Sequence, residues 1–212
     1  MTAETTPTVV LATSNPGKIR EFHHLLAAAG LPLRVVGLGE VGLVAPPETG
    51  TTFAENAILK ARHAAERSGL PALADDSGLA VEGLGGAPGV YSARYAGEAA
   101  DDEANRRRLI AELALLPEAA RAGRFICAIA LAQPDGAVEV VEAACDGVLL
   151  TEPRGTNGFG YDPLFYMPDQ RRTMAELSLD EKSAVSHRAR ALARAMPLLR
   201  RAFGRQEAGR AT

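Results

Sequence analysis

The sequence has no tryptophan and only six Phe and four Tyr, so it lacks the aromatic-rich platform on which single-stranded nucleic acid stacks. Its two cysteines, Cys127 and Cys145, have neither the number nor the spacing of a disulfide framework or a zinc site, and read as small buried thiols in strands. An excess of one charge is missing too. Lys and Arg total 23 against 26 Asp and Glu, and the net charge of -3 is too near neutral for the broad basic field of a duplex-binding protein. No apolar run approaches the roughly 20 residues needed to span a bilayer. Residues 1–8 are polar, with no basic or apolar leader segment. A cytoplasmic protein is expected, with no membrane and no stable nucleic-acid partner. Lysine is scarce as well: Lys18, Lys60 and Lys182 are the only lysines among the 23 basic residues. An ammonium on a thin stem fits where a planar guanidinium does not, which makes these three positions informative.

What is present is a chain of 212 residues, 47% hydrophobic, long enough for one globular domain or two small packed lobes. Residues 8–14 form a β-branched apolar run closed by Asn-Pro-Gly, a buried strand entering a turn. Apolar residues at Ile19, Phe22, Leu25 and Leu26 predict a helix over 18–29, and 33–36 predict a second strand. Residues 37–50 read as a loop. Thr52 and Glu55 match a capping box opening a helix that runs to Arg67. A strand over 72–74 then runs into Asp75-Asp76-Ser77-Gly78, which puts the acidic pair at its carboxyl end.

A glycine-dense loop covers 83–89, and Asp101 opens a helix reaching about Leu116. The runs 124–132 and 137–145 flank Gln-Pro-Asp-Gly, a hairpin signal, and 148–151 suggest a third strand. Residues 155–168 read as one long loop. Ser178 and Glu181 form a second capping-box candidate, and Val185, Leu192, Met196, Leu199 and Phe203 trace the stripe of a final helix. The order β-α-β-α-β, then helix, hairpin and helix, argues for a mixed α/β sheet whose hairpin region extends into a second lobe.

Three places carry chemistry. Thr13-Ser14-Asn15-Pro16-Gly17-Lys18 joins a strand to a helix start, where free N–H groups, the positive helix end and Lys18 favour an anion. It is not a Walker A loop, because no Gly precedes the Gly-Lys pair at the required spacing. Asp75 and Asp76, with Glu48 in the upstream loop, offer the hard oxygen ligands that Mg2+ prefers, though Asp-Asp-Ser-Gly also reads as a solvated turn. Lys182 and Ser186-His187-Arg188 begin the last helix, where side chains one turn apart share a face. Phe159-Gly160-Tyr161-Asp162 places two aromatics in a loop, either as anchors to the core or as a ligand surface.

Six segments in order resemble the Ham1-like family of non-canonical purine nucleoside triphosphate pyrophosphatases, also called XTP/dITP diphosphatases or inosine triphosphate pyrophosphatases. They are Thr-Ser-Asn-Pro-Gly-Lys at 13–18, Glu-Thr-Gly-Thr-Thr-Phe-Ala-Glu-Asn-Ala at 48–57, Ala-Asp-Asp-Ser-Gly-Leu at 74–79, Gly-Gly-Ala-Pro-Gly at 85–89, Gly-Phe-Gly-Tyr-Asp-Pro at 158–163 and Glu-Lys-Ser-Ala-Val-Ser-His-Arg at 181–188. The likeness spans residues 9–203. It implies one domain over 1–212 with flexible tails at 1–7 and 206–212, and an α/β fold whose mixed central sheet lies in two lobes around an active-site cleft. It also implies a homodimer, and Mg2+-dependent hydrolysis of dITP, ITP or XTP to the monophosphate and pyrophosphate.

By the same resemblance Thr13, Ser14, Asn15, Pro16, Gly17 and Lys18 would hold the triphosphate, with Lys60 facing the phosphates. Asp76 would be the catalytic proton acceptor and a metal ligand, joined at the metal by Asp75 and Glu48, and Ser77 a substrate contact. Phe159, Gly160, Tyr161 and Asp162 with Lys182, His187 and Arg188 would form the nucleoside pocket. His187 and Arg188 would read a 6-oxo group, and Phe159 or Tyr161 would stack on the base. In one place the chain departs from the pattern: many relatives carry two consecutive acids before the Thr-Gly of the metal loop, and this chain has Pro47 then Glu48. The competing readings are a Maf-like pyrophosphatase of modified nucleotides and a nucleotide sensor without turnover.

Overall fold

The structure, a computed structural model, describes residues 6–99 and 101–204. The expected tail at 206–212 and most of that at 1–7 lie outside the described residues. Seven strands form one mixed sheet in the order β2-β1-β3-β4-β5-β6-β7. They are β1 Thr8–Leu11, β2 Arg34–Gly37, β3 Ala72–Val81, β4 Ala122–Ala132, β5 Val138–Leu149, β6 Phe165–Met167 and β7 Arg172–Thr173. The helices are α1 Pro16–Ala28, α2 Phe53–Ser68, α3 Asp102–Leu113, α4 Leu179–Val185 and α5 His187–Phe203.

The chain separates into two compact units. One holds the residues up to Asp76, Ala128–Glu142 and those from Ala191 onward; the other holds Ser77–Cys127 and Ala143–Arg190. In the first, β1 pairs in parallel with β2 on one side and β3 on the other. A parallel strand between two neighbours is covered on both faces, which explains why Val9, Val10 and Leu11 are all buried rather than alternating. Asn15 caps α1, and its side chain accepts from the Lys18 N–H at 3.0 Å. The capping box of α2 is present, Thr52 accepting from Glu55 N–H and Glu55 from Thr52 N–H. Along α5, Leu192 and Leu199 of the expected stripe are buried together with Ala195, while Met196 and Phe203 are half-buried.

The second unit has its own apolar cluster, including Leu79, Leu109, Leu113, Phe125, Leu149, Leu164 and Phe165. The two thiols are buried, Cys127 on β4 and Cys145 on β5. Short strand β6 lies within residues 155–168, which read as one long loop, and pairs antiparallel with β5 and with β7 just beyond it, each strand too short for a period to register. Residues 148–149 continue β5 instead of forming a third strand.

Two expectations are corrected. Asp75 and Asp76 are not at a strand's end: β3 continues through them to Val81. Its pairing with β1 stops at Leu73, but β4 flanks its other side, and that partner carries the strand through a tetrapeptide that reads locally as a breaker. The last helix is also two helices. Ser186 takes an extended backbone, ψ 160°, closing α4 before α5 begins.

Glycine is obligatory where sheet neighbours approach closely. A Cβ on Gly147 would lie 2.6 Å from the Phe165 ring and 2.6 Å from the Tyr166 carbonyl oxygen. Gly147→Ala is expected to cost about 1–3 kcal/mol by overpacking, read as a lowered urea midpoint at unchanged m-value.

Candidate active site

The first unit places the sequence's anion-directed junction beside its acids. The strand order reverses around β1: α1 leads outward to β2, and α2 returns across β1 to β3. In an open α/β sheet the carboxyl ends of strands at such a reversal are where ligands bind. Thr13 to Lys18 follow β1 there, and Asp75 and Asp76 follow the paired part of β3. Thr13 Oγ1 accepts from Asn15 N–H at 3.2 Å, which shapes the turn before α1. The first turn of α1 carries no acid, so its N-terminal N–H groups present an uncancelled positive end.

Consecutive strand residues point to opposite faces, and the two aspartates meet different helices accordingly. Lys18 of α1 lies 2.8 Å from Asp75, and Lys60 of α2 lies 2.7 Å from Asp76. Lys60 also reaches Glu48 at 2.8 Å. Asn56, one turn before Lys60, donates from Nδ2 to Asp76 at 3.3 Å and accepts from Gly50 N–H at 2.7 Å, tying the loop that carries Glu48 to the acid. Asn56 was not singled out from the sequence. The available signal was a polar residue four positions from Lys60 on a face otherwise made of Ala57, Ala61 and Ala64.

Burial and charge oppose each other in this cluster. Burial pushes the Asp76 carboxyl above its usual range and Glu48 adds to this, while Lys60 and Lys18 pull it down without cancelling the rise. For Lys60, burial disfavours the ammonium, but Asp76, Asp75 and Glu48 outweigh it and its affinity for the proton is raised. The donors facing Lys18 and Lys60 are carboxylate oxygens, the chemistry Mg2+ prefers. Among the described residues no three His, Cys, Asp or Glu side chains converge as a ready-made metal cage. The acids therefore fit a cation held by one or two carboxylates and completed by phosphate oxygens and water, which is the usual pattern for Mg2+.

The second unit assembles the other set. Lys182 of α4 is buried against Asp162, itself buried, and Asp162 also accepts from the Phe159 N–H at 2.9 Å. Gly158 takes φ +76°, and a Cβ there would meet Asp162 Oδ2 at 2.0 Å, so no other residue fits beside this acid. Lys182 Nζ lies 5.0 Å and Arg188 Cζ 5.7 Å from the centre of the Phe159 ring. Arg188 donates to Ser77 Oγ at 2.8 Å. His187 is buried and stacks on Phe125, ring centres 4.7 Å apart. Tyr161 belongs to the core: its hydroxyl donates to the Ser92 carbonyl at 2.8 Å, and burial pushes its pKa above the ordinary phenol value. Gly160 is joined to α3 through Asp102 and Arg106.

A mixed α/β sheet with an anion-directed helix start and buried lysine–aspartate pairs at its strand reversal is an arrangement suited to an anionic ligand held against carboxylates. The chain belongs to the Ham1 family, whose profile matches residues 9–198. It is 50% identical over 200 residues to the dITP/XTP pyrophosphatase of Desulforamulus reducens, covering 94% of this chain and 98% of that protein. It is 53% identical over 186 residues to the dITP/XTP pyrophosphatase of Haemophilus ducreyi, covering 87% and 94%. Among solved structures, a HAM1 protein from Coxiella burnetii superposes with TM-score 0.82 at 44% identity, covering 91% of this chain and 98% of that one.

Removing the ammonium that joins Asp76 to Glu48 leaves buried carboxylates uncompensated. Lys60→Met is expected to cost about 3 kcal/mol of stability at pH 7. Because the folded-state value of Lys60 is raised above 10.5, its contribution is complete below that pH and is lost only as pH climbs through the raised value. The difference in urea midpoint between wild type and variant should thus be the same at pH 7 and pH 9; a gap that narrows over that range contradicts the assignment.

Proposed function

We propose that the protein is a nucleoside triphosphate pyrophosphatase that hydrolyses the non-canonical purine nucleotides dITP, ITP and XTP to the monophosphate and pyrophosphate, cleansing the nucleotide pool. The observation that carries this reading is the meeting of the acid-free start of α1 with the Lys18–Asp75 and Lys60–Asp76 pairs at the strand reversal. The names of relatives about half identical over most of the chain support it.

In this reading Thr13 to Lys18 bind the phosphates, the α1 N–H groups and Lys18 supplying positive charge, and Lys60 adds a second ammonium. Asp76 accepts a proton from the attacking water as its oxygen bonds to the α-phosphorus; the bond from that phosphorus to the bridging oxygen breaks, and pyrophosphate leaves with the electron pair. Mg2+, held by one or two carboxylates from among Asp75, Asp76 and Glu48, would supply charge neutralisation on the phosphate oxygens and the leaving group. Ser77 contacts the substrate. Phe159 stacks on the base, since the Tyr161 hydroxyl is committed to Ser92 and its ring to the core. His187 and Arg188 donate toward the 6-oxo edge, Lys182 and Asp162 hold the loop, and a 6-amino base leaves those donors unpaired. Cytoplasmic residence and a homodimer complete the reading; among the described residues no helix is long and apolar enough to cross a membrane.

Pyrophosphate release with Mg2+ and a panel of dITP, XTP, GTP and dTTP tests it. Strong turnover of dITP and XTP is expected, and Asp76→Asn should lower kcat by about 100-fold or more. Equal rates on all four substrates would overturn the base assignment, and binding without turnover would make the protein a sensor. In the metal-free protein the Asp76 carboxyl should titrate above the usual 3.8, because burial outweighs Lys60 and Lys18, and a carboxyl carbon-13 shift followed against pH checks this.

A further inference from the structure

Two side chains of α3 close on a single glycine of the loop that carries Phe159. Asp102 Oδ2 accepts from the Gly160 N–H at 2.7 Å, and Arg106 Nη1 donates to the Gly160 carbonyl at 2.8 Å. The two side chains are four residues apart, so one face of α3 presents acceptor and donor together. On its other flank Phe159 is fixed by its own N–H to Asp162, which Lys182 grips in turn. The ring that faces Lys182 and Arg188 is thereby held from both sides, by a buried grip at Asp162 and a more exposed one at Gly160.

The outer grip is separable from the anchoring of α3. That helix is secured by Leu109 and Leu113, both fully buried, and by Asn105, which accepts from Ala96 N–H at 2.7 Å and donates to the Ala93 carbonyl at 3.0 Å. Loss of Arg106 leaves those contacts in place. Beside the grip lies a cavity of about 630 Å3, lined among others by Arg106, Ile110, Asn157 and Phe159, so a released loop has space to enter.

We infer that Asp102 and Arg106 are positioning residues for base recognition: through Gly160 they set the Phe159 ring as the stacking wall of the nucleoside pocket. This deepens the proposed function and rests on it.

The test is Arg106→Ala, with Arg106→Lys as the conservative variant and Arg107→Ala as control, since Arg107 is exposed and pairs with Glu103 of its own helix at 3.5 Å. In Arg106→Ala the KM for dITP should rise about tenfold with kcat within about twofold, the size expected for one charge-assisted hydrogen bond. The preference for dITP over dGTP should narrow alongside. Arg106→Lys should recover part of the KM, and adding Asp102→Ala to Arg106→Ala should cost less than the sum of the two. Hydrogen exchange across residues 157–162 should accelerate while that of residues 109–113 stays unchanged. A KM and a base preference within about twofold of wild type in Arg106→Ala would overturn the inference, whatever happens to thermal stability. A wild-type protein inert toward dITP would overturn the underlying reading, and the stacking role with it.

Discussion

The first unit depends on how two adjacent carboxyl groups are accommodated inside a protein. Asp75 is fully buried and Asp76 nearly so, and Glu48 brings a third acid to them. Buried charge of this density is tolerated only where each group has a close counter-charge. The topology supplies one per face. Right-handed crossovers, outward from β1 to β2 and back from β2 to β3, put α1 and α2 on opposite faces of the sheet, and the strand's twofold alternation sends Asp75 and Asp76 to opposite faces as well. One lysine from each helix then meets one aspartate. Three carboxylates against two ammonium groups still leave an excess of negative charge, which raises the proton affinity of Lys60 and adds, through Glu48, to the rise that burial causes at Asp76. A cation would relieve it.

The second unit solves a different geometric problem with a broken helix. In one continuous helix, at roughly 100° per residue, Lys182 and Arg188 would sit about 120° apart around the axis. The extended backbone at Ser186 removes that constraint, and both cations come within 6 Å of the same Phe159 ring. The N–H of Arg190 bonds to the Ser186 carbonyl and that of Ala189 to its hydroxyl, so the residue that ends α4 also starts α5. A serine can serve both purposes because its side chain caps a helix while its backbone is extended.

These two features mark the boundary of what the sequence discloses. Caps are local, and Thr52 with Glu55, Asp101 and Ser178 with Glu181 are all recognisable from the sequence, whereas Asn15 reads as part of a turn although it caps α1. The reach of β3 through Asp-Asp-Ser-Gly is not local: it depends on β4, whose partner residues lie about fifty positions downstream. Ser186 escapes for a related reason. Its neighbours Val185 and Leu192 continue an apolar stripe across the break, and periodicity registers the stripe without the interruption. Asn56 was hidden by its own helix, where a single amide among alanines has no motif, and only the position of Asp76 gives it a role. The resemblance in six ordered segments indicates the family, but the partner of each lysine requires the fold.

Those partners explain the composition with which the sequence opens. Each of the three lysines is in an ion pair with a buried aspartate: Lys18 with Asp75, Lys60 with Asp76 and Lys182 with Asp162. Most arginines do different work, at the surface, as with Arg124 to Asp146, Arg172 to Glu181 and Arg201 to Glu139. A guanidinium is wider, fixed in a plane and needs five donors satisfied, which a surface with water provides and a narrow interior does not. An ammonium directs three donors from one atom, so Lys60 can serve Asp76 and Glu48 together. Arg188 is the informative exception, nearly inaccessible yet a guanidinium. It lies against the Phe159 ring while donating to Ser77, and a flat cation suits that combination of ring contact and directed hydrogen bond. The choice between the two cations follows from the shape of each buried niche, and a chain that uses arginine almost everywhere else makes that choice visible.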